Sequence, residues 1–123
     1  MGGTGTLTDY TVLESLLQQQ LKPLVKKIDA DAYYARDFLL QLGKSGFFRS
    51  EGFSEAGVAL REVKVVEEPA KVCMTTAFNI WCHLASLTYI RLCENKFLQM
   101  DLLPKLENGE LLGATGLSNP MKY

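Results

Sequence analysis

The apolar positions of this chain fall into helical register four or five times before the pattern changes. Leu13, Leu16, Leu17, Leu21, Leu24 and Ile28 recur every three or four residues, which puts them on one face of a first helix. Thr8 or Asp9 is suited to cap its start. Gln18, Gln19 and Gln20 face away, and Lys26 and Lys27 near the far end suit the helix dipole. Pro23 lies inside the pattern and is expected to bend it. Asp29-Ala30-Asp31 is expected to end this helix and cap a second from about Ala32 to Leu42, with Tyr34, Phe38, Leu39 and Leu42 as its stripe. Gly43 then reads as a C-terminal glycine. A polar loop from Arg49 to Gly57 follows, with Phe53 available to pack under it.

The next stretch, Ala56 to Cys73, is locally two-valued. Val63, Val65 and Val66 are β-branched and would suit a strand. Its length, and the lack of a turn signal before Pro69, favour a helix with distorted last turns. Thr75 or Thr76 can cap a fourth helix that runs to about Cys93. Its apolar residues, Ala77, Phe78, Ile80, Trp81, Leu84, Leu87 and Ile90 among them, surround almost the full circumference, the pattern of a central buried helix. Asn79, His83, Ser86, Thr88 and Arg91 interrupt it too often for a membrane span. Asn95 can cap a short fifth helix through Phe97, Leu98, Leu102 and Leu103, closed by Pro104. After an Asn108-Gly109 turn, Leu111 to Leu117 is expected to form a strand that delivers the polar loop Ser118-Asn119-Pro120. A strand with nothing to pair against is expected to belong to something larger.

Composition narrows the functional classes. The 123 residues are 47% hydrophobic and 22% charged, ordinary for one globular domain. A formal net charge of −1 supplies no basic excess for phosphates, which argues against a nucleic-acid binder. Three irregularly spaced cysteines make neither a disulfide framework nor a zinc site, and fit a reducing, cytoplasmic compartment. Residues 1–8 read as a flexible start. They lack a secretory pattern, and although Gly2 and Thr6 match a loose myristoylation motif, the glycines follow no strand and so form no phosphate loop. His83, the single histidine, is expected to be a hydrogen-bonded core residue. Cys73, Cys82 and Cys93 read as small buried hydrophobes, and Glu62, Glu67 and Glu68 as a solvated helix face. No residue is a candidate catalyst and none a metal ligand; the residues alone describe a soluble helical domain without a reaction.

A resemblance supplies more. The run Asn95, Leu102-Leu103-Pro104-Lys105-Leu106, Gly109-Glu110, Ala114 and Ser118-Asn119-Pro120 resembles the end of the N-terminal helical domain of acyl-CoA dehydrogenases. Leu42-Gly43-Lys44-Ser45-Gly46-Phe47-Phe48 and Val66-Glu67-Glu68-Pro69-Ala70-Lys71-Val72 are similar to segments upstream in that family, and the second favours helix for the two-valued stretch. The resemblance implies a mainly α fold: a helical domain over residues 9–110, with 111–123 beginning a middle β-domain that a C-terminal helical bundle would follow. It implies FAD and an acyl-CoA or other acyl thioester, oxidised across its α and β carbons, in a parent that is a homo-oligomer (dimer or tetramer). The family's base is usually a glutamate of the C-terminal domain, so none is assigned here, and the 123 residues alone are expected to be inactive and to bind FAD weakly or not at all. By the same resemblance Thr115, Leu117 and Ser118 correspond to flavin-contacting positions, and Ala77, Phe78 and Trp81 to the turn lining the acyl pocket. Ser118-Asn119-Pro120-Met121-Lys122 departs from the family's Thr-Glu-Pro and glycine-rich loop, which leaves a flavin-dependent oxidase or monooxygenase relative open. A free-standing helical interaction module derived from the fold is the non-enzymatic alternative.

Overall fold

The first apolar stripe folds as a helix of changing pitch. α1 (Tyr10–Leu16) widens into a π turn over Leu17–Leu21, tightens into a 3-10 turn over Lys22–Leu24, and resumes as α2 (Val25–Asp31). The Lys22 N–H reaches back to the Leu17 carbonyl, one residue beyond an α-helical bond. Pro23 stands at the start of the 3-10 turn, where its absent N–H is tolerated. The expected bend thus appears as a change of pitch. Leu13, Leu17, Leu21 and Ile28 are buried, with Leu16 and Leu24 packed beside them. A computed structural model describes residues 10–114; Thr8 and Asp9, the expected caps, lie outside them.

The second helix departs from its expected start. α2 does not end at Asp29 but continues to Asp31, and Ala32 closes it in the left-handed region with φ 54°. The chain then crosses over through Tyr33 to Ala35, so α3 (Arg36–Lys44) begins at Arg36 rather than Ala32. Tyr34 consequently stays exposed instead of joining the apolar stripe, while Ala35 is buried. Gly43 is not the C-terminal glycine. It lies within α3, and a Cβ there would collide with the backbone of Asn108 and Gly109. The turn after α3 is taken by Gly46, at φ 86°.

The two-valued stretch is helical. α4 (Glu55–Ala70) starts where the Ser54 hydroxyl accepts a hydrogen bond from the Gly57 N–H at 3.0 Å, and holds Pro69 in its last turn. α5 (Met74–Leu92) begins without a side-chain cap; Thr75 and Thr76 lie inside it, and the buried Thr76 hydroxyl turns to the Cys73 Sγ at 3.4 Å. Asn95 caps α6 (Lys96–Asp101) as expected, its Oδ1 accepting from the Leu98 N–H at 3.2 Å. Pro104 does not close the fifth helix. It occupies the first turn of α7 (Leu103–Glu107), where a helix leaves its N–H groups unbonded anyway.

α4 and α5 pack along each other, and α5 buries Ala77, Ile80, Leu84 and Leu87. Phe38, Leu39 and Leu42 of α3, Phe47, Phe48, Val65 and Leu106 complete the core. α5 is nonetheless not buried all round: Met74, Phe78, Trp81, Tyr89 and Leu92 form an exposed apolar stripe along its length. Its all-apolar composition therefore reflects two faces, one in the core and one open. The described residues contain no strand. Residues 111–114, expected to begin one, are irregular, because the Leu111 N–H bonds the Lys105 carbonyl at 3.1 Å and the Gly113 N–H bonds His83. The remainder of that expected strand lies outside the described residues.

Candidate functional site

Helical spacing explains the groove that α4 and α5 form. Ala59, Val63 and Val66 fall on the α4 face that meets Trp81, Leu84 and Ala85 of α5. Together with Glu62, Glu67 and Thr88 they enclose about 520 Å³ of largely apolar space. Trp81 lines this space, and the Phe78 ring stacks on the Trp81 ring, with centroids 5.9 Å apart and planes at 25°. Phe78 is 60% and Trp81 47% exposed, whereas Ala77 is fully buried behind them. The structure thus brings two of the three pocket candidates together on the surface and puts the third in the core. Thr115, Leu117 and Ser118 lie outside the described residues.

A neighbouring cavity that shares Glu62 and Thr88 with the groove is more polar, and more elaborate than the sequence suggested. The Arg91 guanidinium donates from Nη2 to Glu107 Oε2 at 2.8 Å and to the Phe48 carbonyl at 2.6 Å, and from Nε to the same Glu107 oxygen at 3.3 Å. Ser50 donates to that oxygen as well, at 3.0 Å. Glu62 stands 3.6 Å from Arg91 Nη1, and its buried Oε2 receives no hydrogen bond. Burial pushes the Glu62 carboxyl up from its ordinary value, against the pull of Arg91 and Arg61. Arg61 is 1% exposed: its Nη1 donates to the Gly46 carbonyl at 3.3 Å, its guanidinium lies 4.6 Å from the centre of the Phe53 ring, and its Nε and Nη2 have no partner. Burial, and then the nearby Arg91 charge, lower its pKa. Sequence spacing gave no sign of this cluster, because Arg91 registers only as an interruption of an apolar run and its partners stand on separate elements.

His83 is fully buried, as expected of a core histidine. Its Nε2 lies 2.9 Å from the Leu106 carbonyl and its Nδ1 3.0 Å from the Gly113 nitrogen. A carbonyl only accepts and a backbone N–H only donates, so the ring is neutral with its proton on Nε2. The Phe48 ring meets it edge-on at 4.6 Å. Burial is the main reason its pKa is lowered; Arg91 adds to this and the Leu106 hydrogen bond opposes it.

Among the described residues no group of three or more metal-ligating side chains converges, and none of their helices is long and apolar enough to cross a membrane. The family described as acyl-CoA dehydrogenase, N-terminal domain, matches residues 11–110.

The chain belongs to the acyl-CoA dehydrogenase family.

Its matched part ends just past the Gly109 turn, after the seven α-helices that the described residues of this acyl-CoA dehydrogenase N-terminal domain form. No curated protein and no solved structure matches the chain. The charged side chains lining the α4–α5 groove of the domain are Glu62 and Glu67. No cationic side chain of the described residues lines this groove to meet a diphosphate, so it does not fit FAD, and its apolar walls suit an uncharged chain instead.

Proposed function

We propose that this domain forms the helical wall of an acyl-thioester site in an FAD-dependent acyl-CoA dehydrogenase-like enzyme. Residues 9–110 are the helical domain and 111–123 lead into the β-domain of the parent. The observation that carries the reading is an apolar groove lined by Trp81, whose half-exposed ring stacks with that of Phe78, in a chain of this family. Phe78 and Trp81 contact the acyl chain. Ala77 backs them from the core, and its small side chain lets α5 sit close to its neighbours. Thr115, Leu117 and Ser118 are the residues assigned to flavin.

The reaction is α,β-dehydrogenation of an acyl thioester, and its base comes from outside these residues. Glu107 is tied to Arg91 and Ser50, and Glu62 faces Arg91, which leaves neither poised to take a proton from substrate. The parent assembles as a homo-oligomer, and three free thiols suit the reducing cytoplasm.

Trp81 is the only tryptophan, so its emission reports on the groove. Titration of the 123-residue chain with acyl-CoA thioesters of increasing length should give a saturable blue shift. Affinity should rise by up to roughly fourfold per added methylene, the limit set by burial of each group. Free CoA should leave the spectrum unchanged. A response to CoA alone, or none at any chain length, would overturn the assignment of the groove. Bound flavin in the protein made from the whole reading frame tests the cofactor assignment separately.

A further inference from the structure

The segment that leaves α7 is held by His83. Gly113 lies thirty residues away in sequence, yet its N–H points at the buried Nδ1 at 3.0 Å. The same ring donates through Nε2 to Leu106 in α7 at 2.9 Å. One imidazole therefore ties the last turn of the helical domain and the outgoing chain to the middle of α5. The position admits little else. A Cβ on Gly113 would collide with the side chain of Ser86, whose hydroxyl is itself occupied by the His83 carbonyl at 2.6 Å. Both ring partners are backbone groups, so the link draws on no side chain of the segment and asks only that Gly113 carry none.

We infer that His83 is a positioning residue, a latch that fixes Gly113, two residues ahead of Thr115 in the sequence. The inference rests on the reading above for what Thr115, Leu117 and Ser118 do. The latch itself rests only on the contacts of His83. It works with one protonation state. A proton on Nδ1 turns the acceptor into a donor facing the Gly113 N–H, and the hydrogen bond is lost. From α5 the charged group whose field reaches the ring is Arg91, which disfavours that proton. From α7 the ring meets the Leu106 carbonyl, with neighbouring Glu107 engaged by Arg91, and from the loop after α3 it meets the uncharged Phe48. The outgoing segment presents the Gly113 N–H.

Amide hydrogen exchange on the 123-residue chain, read residue by residue by NMR, tests this. The Gly113 amide should be protected at neutral pH, and its protection should fall in step with protonation of the His83 ring, followed in the same spectra. His83→Phe removes the acceptor and keeps the ring volume; it should speed Gly113 exchange roughly fivefold to tenfold while Ile80 and Leu87 stay protected. His83→Asn, whose Oδ1 can stand in for Nδ1, should restore part of the protection. If His83→Phe fails to fold, Gly113→Ala frees the segment from the other side and should leave the His83 ring titrating closer to its ordinary value of 6.5. A Gly113 amide unprotected in the unaltered chain, or equally protected in His83→Phe, would overturn the latch. A protected, His83-dependent Gly113, together with no bound flavin in the protein made from the whole reading frame, would retain the latch and discard the cofactor assignment.

Discussion

At the scale of single residues, stability is concentrated where side chains or backbones have no room to adjust. Gly43 touches the backbone of Asn108 and Gly109, and backbone cannot rotate away as a side chain would. Gly43→Ala should therefore cost about 1–3 kcal/mol by urea denaturation, because overpacking moves α3 off the α7 turn. Arg91 joins Glu107, Phe48 and Glu62 near the protein interior. Arg91→Met should cost about 2–4 kcal/mol, since it leaves Glu107 and a carbonyl short of donors. His83 gives the domain a pH dependence with a definite sign. Its pKa is lowered in the folded state, so below the ordinary value of 6.5 the unfolded chain binds more protons. The His83 contribution is complete above that pH and is lost as pH falls through the folded pKa. In His83→Phe, denaturation midpoints measured from pH 7 down to 5 should lose this contribution to the slope.

At the scale of elements, the caps are local and the crossings are not. Asn95 could be read as a helix start because a capping side chain bonds an N–H three residues away, a relation contained in a few consecutive residues; the sequence pattern puts Ser54, which caps α4 in the same way, in the preceding loop. Ser54→Ala should cost about 1 kcal/mol in thermal or urea unfolding, with exchange at Gly57 speeding first. The helical outcome for Glu55–Ala70 was likewise legible, since length outweighed the β-branched Val63, Val65 and Val66. The Asp31–Ala32 boundary was not. Nothing in an alanine announces a left-handed conformation, and Asp29 to Asp31 resembles a capping signal although the chain remains helical through it. Pro104 was misplaced because proline suits both the end of one helix and the first turn of the next. The paired rings of Phe78 and Trp81 follow from their three-residue spacing, but the α4 half of the groove does not, because register between two helices is a tertiary property. The Arg91 cluster and the His83–Gly113 bond were invisible for the same reason.

At the scale of the whole molecule, the distribution of apolar surface is uneven. The exposed stripe of α5 runs from Met74 to Leu92 and is joined by Leu60 and Val63 of α4. A face of this kind favours association when left uncovered. The double variant Phe78→Ser, Leu92→Ser should shift the 123-residue chain towards monomer in sedimentation equilibrium with its helix content unchanged; equal association in both proteins would place the contact elsewhere. A different property of the molecule follows from the π turn at Leu17–Leu21. An i→i+5 turn encloses one more residue than the i→i+4 turn it replaces. Removing Gln19, which points to solvent, should let the turn close as ordinary α-helix with Leu17 and Leu21 still facing the core. The same loss within α5 would rotate half of that helix by about 100° and bring its open stripe into the interior. Chain length is thus negotiable in the first helix and fixed in the central one, so among lengthened or shortened versions of this domain, single-residue changes should be tolerated between Leu17 and Leu21 and excluded between Met74 and Leu92.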